Sequence, residues 1–127
     1  MIPFVNIHTH NHIDNKEIVS IQNIDIDNIG NVDVSRFYSV GIHPWDVSQQ
    51  TTINRQQSLS KLSQILSFSG SQFLKAIGEC GLDRAGAGAG RFEIQKDVFK
   101  KQIELSEQYS KPLIIHAVRT YPDIIAI

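Results

Sequence analysis

Val5-Asn6-Ile7-His8-Thr9-His10 is a short apolar, β-branched run that ends in two histidines one residue apart. Side chains at i and i+2 of a strand point to the same face. His8 and His10 therefore aim two imidazoles at one point, where the strand runs out. Neutral imidazole is the commonest protein ligand for zinc-like metals. The pair has the form of half a metal site, and the other half must come from elsewhere in the chain.

Working outward, residues 4–8 read as a buried strand and residues 17–21 (EIVSI) as a second. The Asp, Asn and Gly of residues 25–33 predict a loop. Residues 37–42 (FYSVGI) read as a third strand, which His43-Pro44 breaks with a turn. Leu59, Leu62, Ile65 and Leu66 give residues 56–68 the apolar stripe of an amphipathic helix, and Gly70 suits its stop. Residues 73–78 (FLKAIG) read as a fourth strand ending in Glu79. The alternating Ala and Gly of residues 84–90 predict a flexible loop. Residues 92–109 form the clearest helix, with Phe92, Val98, Phe99, Ile103 and Leu105 on its apolar face and Lys111-Pro112 at its end. Residues 113–115 are a fifth strand ending in His116, and Pro122 suits the first turn of another helix. Buried strands joined by helical crossovers predict an α/β fold with a mostly parallel sheet.

The bulk numbers narrow the function. A length of 127 residues suits one domain, and 41% hydrophobic with 20% charged residues is ordinary for a globular protein. The net charge of −1 gives no general attraction to nucleic acid or to an anionic membrane, so a phosphate would be held by a local patch or by metal ions. A lone cysteine, Cys80, rules out an internal disulfide and fits a reducing compartment. No apolar run approaches membrane-spanning length, and the N-terminus lacks signal-peptide character, so a cytoplasmic location is expected. The apolar ending Asp123-Ile124-Ile125-Ala126-Ile127 reads as the start of a buried element, and the expectation is a longer domain.

The polar residues carry the functional signal. His8 and His10, His43, Glu79 and His116 fall at the ends of four different expected strands, the edge where α/β sheets and barrels build their sites. Histidine with carboxylate suits Zn²⁺, Mn²⁺ or a similar divalent ion. A Glu between two metals can bridge them, and paired metals clamp the oxygens of a phosphate ester in hydrolysis. Each residue alone has an ordinary reading: His116 as a hydrogen-bonded histidine, Glu79 as a loop carboxylate, His43 as a turn residue at the pocket rim. His12 lies beyond the strand and reads as solvated, and Cys80 as a packed small hydrophobe. The Ala-Gly segment lacks the Lys-Ser/Thr of a Walker phosphate loop.

Taken together the motifs resemble the TatD-type family of metal-dependent deoxyribonucleases, within the amidohydrolase-like TIM barrels. The matching pieces are Ile7-His8-Thr9-His10-Asn11-His12-Ile13-Asp14, Gly41-Ile42-His43-Pro44, Ala76-Ile77-Gly78-Glu79-Cys80-Gly81-Leu82-Asp83, the helix of residues 95–107, and Lys111-Pro112-Leu113-Ile114-Ile115-His116. The histidine pair is weakly specific; the Ile-Gly-Glu-x-Gly-Leu-Asp block followed by Pro-Leu-Ile-Ile-His is strongly so. The resemblance implies that His8 and His10 bind one metal, Glu79 bridges two, and His116 binds the second. It places Asp83 and Arg84 near the bridging site, and His43 and Arg84 on the substrate side. It implies one or two divalent ions (Zn, Mn or Mg) and a DNA or small phosphodiester substrate.

The departures shape the expectation too. The family supplies a further histidine ligand and then a catalytic aspartate, both beyond Ile127, so no catalytic base is assigned here. Arg119 stands where the family's His-x-Arg is displaced to Ala117-Val118-Arg119. A (β/α)₈ barrel needs roughly 200–250 residues. Residues 1–127 are therefore expected to form the N-terminal part of a metal-dependent hydrolase barrel, with about five strands and its C-terminal part missing. Open sheet edges predict self-association of the 127-residue chain near Leu113 to His116. The rival readings are a truncated or degenerate non-catalytic relative, and an amide or lactone hydrolase on the same scaffold.

Overall fold

The computed structural model describes residues 3–31, 35–68, 71–85 and 90–127. Five strands form one parallel sheet in sequence order: β1 (Phe4–Thr9), β2 (Ile18–Asp25), β3 (Tyr38–Gly41), β4 (Leu74–Asp83) and β5 (Leu113–Val118). Among the described residues four α-helices accompany them: α1 (Pro44–Gln49), α2 (Thr52–Ser67), α3 (Phe92–Tyr109) and α4 (Tyr121–Ile125). This is the α/β parallel sheet that the strand and helix patterns predict, in the partial-barrel form that the family resemblance implies.

The core lies between the sheet and helices α2 and α3. Val40 and Ile42 from the end of β3, Leu74, Ile77, Cys80 and Leu82 from β4, Leu62 from α2 and Phe99 from α3 are all buried there. Cys80 is thus the packed small side chain its position predicts. Among the described residues, no helix is long and apolar enough to cross a membrane.

Several elements differ from the sequence expectation. The strand at residues 4–8 exists, but it is not buried: Phe4, Val5 and Ile7 are 77%, 64% and 62% exposed. Its β-branched composition makes it a strand, while its place at the sheet edge, with β2 as its neighbour, leaves it uncovered. Strand β2 extends to Asp25, well past the expected Ile21. His43-Pro44 does not merely end a strand. Pro44 starts α1, where its fixed φ and missing N–H cost nothing, and His43 caps that helix with Nδ1 accepting from the Trp45 N–H at 3.1 Å. Helix α2 begins at Thr52, earlier than its apolar stripe, because Thr51 Oγ1 caps it by accepting from Asn54 N–H at 3.2 Å. Gly70 and residues 86–89 of the Ala-Gly segment lie outside the described residues. Helix α3 has the predicted bounds, and ends with Ser110 in the left-handed region at φ 51° ahead of Pro112.

Strand β4 is the element that matters most for the site. It runs on to Asp83 instead of stopping before Glu79. Its register against β5 shifts between Gly78 and Cys80, which pair with Ile114 and Ile115. Glu79 is the extra residue of that bulge, a device that re-aims a side chain. Glycines make the close approach possible. A Cβ on Gly78 would sit 2.7 Å from Ile114 Cβ, and Gly81, at φ +142°, lies directly against the His116 carbonyl.

Candidate metal centre

His8 comes from β1 and His10 from just past its end, His43 from the β3–α1 junction, Glu79 from the β4 bulge and His116 from β5. All five meet at the C-terminal rim of the sheet. His8 Nε2 is 3.3 Å from His10 Nε2 and 3.4 Å from Glu79 Oε2. On the other side, His116 Nδ1 is 3.0 Å from Glu79 Oε1 and 3.2 Å from His43 Nε2. The Glu79 carboxylate therefore lies between two histidine groups. His8, His10 and Glu79 make one set with ligand atoms mutually within 4.8 Å; His43, Glu79 and His116 make the other.

The donor chemistry fits a divalent cation. A neutral imidazole has one N–H and one lone pair. Here ring nitrogens face one another and a carboxylate across about 3 Å, with more lone pairs than protons to share between them. The other His8 nitrogen, Nδ1, is buried with no hydrogen-bond partner among the described residues. Burial, and then the neighbouring His116, push the His43 imidazole down to about 4, so it is neutral at ordinary pH; with Nδ1 accepting from Trp45, its Nε2 carries the proton and faces His116 and Glu79.

Behind the cluster stands Asp83, fully buried at the end of β4. Its Oδ2 lies 2.8 Å from His116 Nε2 and accepts the Trp45 indole N–H at 2.7 Å, and its Oδ1 accepts the Ala85 N–H at 2.7 Å. Burial works against its ionisation, but the bonds from His116, Ala85 and Trp45 outweigh it and hold the carboxyl below the usual range. With Nε2 donating to Asp83, His116 keeps its Nδ1 lone pair aimed at Glu79. A carboxylate that fixes a histidine in this way is the usual support of a metal ligand.

Two buried glutamines of α3 hold this rim. Gln102 clamps Ile42 by accepting from its N–H at 2.8 Å and donating to its carbonyl at 3.1 Å. Gln95 accepts from the Asp83 N–H at 2.8 Å and donates to the Asp83 carbonyl at 3.2 Å and to Ser48 Oγ at 3.1 Å. One helix thus sets both the entry to His43 and the position of Asp83. A cavity of about 680 Å³ opens in front, lined by His10, Asn23, His43, Trp45, Glu79 and His116 among others.

Comparison with known proteins gives the family of this chain. A model of the family described as TatD-related DNase matches residues 12–127. The chain belongs to the TatD-related DNase family. The uncharacterized metal-dependent hydrolase BU355 of Buchnera aphidicola subsp. Acyrthosiphon pisum is 31% identical over 96 residues, covering 72% of this chain and 34% of that protein. The uncharacterized metal-dependent hydrolase YabD of Bacillus subtilis is 32% identical over 91 residues, 72% of this chain and 32% of that protein. The crystal structure of the TatD homologue YjjV of Escherichia coli K12 matches with a TM-score of 0.79 at 22% identity, covering 97% of this chain and 54% of that one, which bears on the fold. The chain spans about a third of the length of the curated relatives it matches.

The structure brings His8, His10, His43, Glu79 and His116 together. It does not bring Arg84 there. The Arg84 guanidinium pairs with Asp123 at 2.7 Å and lies over the Phe92 ring at 3.7 Å, and Arg84 is not among the cavity-lining residues. His12 is exposed and paired with Arg36. Trp45, Gln95 and Gln102 are the contributors that sequence reasoning passed over.

Proposed function

We propose that this chain forms the N-terminal part of a metal-dependent phosphodiester hydrolase of TatD type, a deoxyribonuclease, with His8, His10, Glu79 and His116 as ligands for one or two divalent ions. The observation that carries this reading is the position of the Glu79 carboxylate, 3.4 Å from His8 and 3.0 Å from His116. One carboxylate serving two histidine groups is the geometry of a bridging ligand. Zn²⁺, Mn²⁺ or Mg²⁺ bound there would supply Lewis acidity toward a phosphoryl oxygen and lower the pKa of water.

The chain's own groups have distinct parts. His8 and His10 present neutral nitrogens from one side, and His116, with its proton parked on Asp83, presents Nδ1 from the other. His43, held neutral, faces the cavity between Trp45 and His116, where a substrate oxygen would enter. The catalytic base is not assigned to any residue of this chain. A cytoplasmic setting accords with the free thiol of Cys80. Self-association belongs to the same reading: the exposed apolar side chains of β1, and Ile115 on β5, sit on the two edge strands, where a further strand would pair.

The test uses the protein that carries this chain, loaded with Zn²⁺, Mn²⁺ or Mg²⁺. It should cleave DNA or bis(p-nitrophenyl) phosphate, lose that activity to a chelator, and lose bound metal when His8 and His10 are both changed to Ala. Turnover of amide or lactone substrates with phosphodiesters left intact would transfer the reading to another hydrolase class. Unchanged metal content in the double variant would remove His8 and His10 as ligands.

A further inference from the structure

Trp45 is a large aromatic side chain left 49% exposed on the wall of the cavity. Two other exposed apolar side chains, Ile115 of β5 and Tyr121 of α4, border a separate pocket with Glu79 and His116. Trp45 differs from them in being pinned. Its indole N–H is taken by the buried Asp83 carboxylate at 2.7 Å. Its ring packs edge-on against His43, with centroids 5.1 Å apart, and stands 6.1 Å from the His116 ring at 71°. Its backbone N–H is bound to His43 in the first turn of α1, next to the rigid Pro44. The polar atom of the ring is satisfied, its edge is fixed, and area remains open toward the cavity.

The cavity walls add a second constraint. No Lys or Arg is among the described residues that line it. Among the described lining residues a substrate phosphate would be neutralised at the metal cluster around Glu79, while the organic remainder would meet the Trp45 ring beside the polar Gln22, Asn23, Asp25, Asn28 and Asp46. A volume of about 680 Å³ accommodates a small organic ligand. A fixed aromatic plane beside a phosphate-binding centre is the arrangement by which proteins hold a base irrespective of its sequence.

We propose that Trp45 is the platform on which a nucleobase of the substrate stacks while its phosphate meets the metal cluster; this rests on the phosphodiesterase reading above. Trp45 is then a specificity residue, selecting nucleotide esters over phosphates of aliphatic alcohols.

The experiment compares two probes, deoxyadenosine 5′-monophosphate and 2-deoxyribose 5-phosphate, by calorimetric titration of the Zn²⁺-loaded protein. Wild type should bind the nucleotide more tightly. Trp45→Leu should weaken nucleotide binding roughly 5- to 150-fold more than it weakens binding of the abasic sugar phosphate. Trp45→Phe loses the same N–H bond to Asp83 but keeps a ring, and should retain most of the nucleotide affinity. The nucleotide should also quench the Trp45 emission that Trp45→Phe removes, and the abasic probe should not; this readout in wild type stands even where Trp45→Leu fails to fold. Equal binding of the two probes by wild type, or an equal loss of both in Trp45→Leu, overturns the stacking role and leaves the phosphodiesterase reading in place. Failure of the metal-loaded wild type to bind either probe overturns both.

Discussion

His116 Nε2 lies 2.8 Å from Oδ2 of Asp83, on the side of the ring opposite Glu79. The bond fixes both the tautomer and the ring plane, so Asp83 acts on the cluster through His116. Removing such a support typically weakens metal binding 10- to 100-fold. Asp83→Asn should therefore lower Zn²⁺ affinity by about that factor, read by competition against a chromophoric chelator. An affinity equal to wild type would show that His116 needs no orienting partner.

The legible part of this site was the part written in local pattern. His8 and His10 declare themselves because strand alternation forces i and i+2 together. Glu79 and His116 were legible as residues but not as geometry. The expected strand stopped before Glu79, whereas the chain continues through a bulge that turns Glu79 into the rim, and a bulge depends on pairing with β5, which no local window contains. Gln95 and Gln102 were hidden for a different reason. They occupy the buried face of α3 beside Val98 and Phe99, where a hydropathy pattern counts glutamine as solvated. Their partners are backbone groups of Ile42 and Asp83, far away in sequence. The edge exposure of β1 was equally invisible, since composition gives a strand and says nothing of its neighbours.

Gln102 has two bonds to the backbone of Ile42, both in the core. Gln102→Leu preserves size and apolar packing but leaves a buried N–H and a buried carbonyl without partners. Each unsatisfied group costs about 1–3 kcal/mol, so the variant should lose at least about 2 kcal/mol in urea denaturation. Gln102→Glu keeps an acceptor for the Ile42 N–H and should fall differently with pH. A Gln102→Leu variant as stable as wild type would mean that β3 shifts to find other partners.

Asp123 gives a pH-dependent test away from the metal centre. Its bond with the Arg84 guanidinium holds its carboxyl below the ordinary value. A carboxyl depressed in the folded state stabilises the protein above its unfolded pKa, near 4, and that contribution disappears as pH falls through the lower folded value. Wild type should melt above Asp123→Asn at pH 7, and the gap should close toward pH 3. The gap should be small, because Arg84 is exposed. A difference in Tm that is constant from pH 7 to 3 would assign the effect to packing of α4.

Cys80 follows Glu79 in sequence and points the other way, into the core between the sheet and the helices. Burial, and then the adjacent Glu79 charge, push its thiol up to about 12. The nucleophilic form of a cysteine is the thiolate, so two barriers protect this one: it is protonated at ordinary pH and it is inaccessible. Iodoacetamide at pH 8 should leave the native protein unlabelled and should label it fully in denaturant, as followed by intact mass. Slow labelling of the native protein would then report opening of β4 itself, the strand that carries Glu79, and stripping metal should speed it if the cluster ties β1 and β5 to that strand. Labelling at the rate of a free thiol in the folded protein would contradict the placement of Cys80, and with it the orientation of β4 that sends Glu79 and Cys80 to opposite faces.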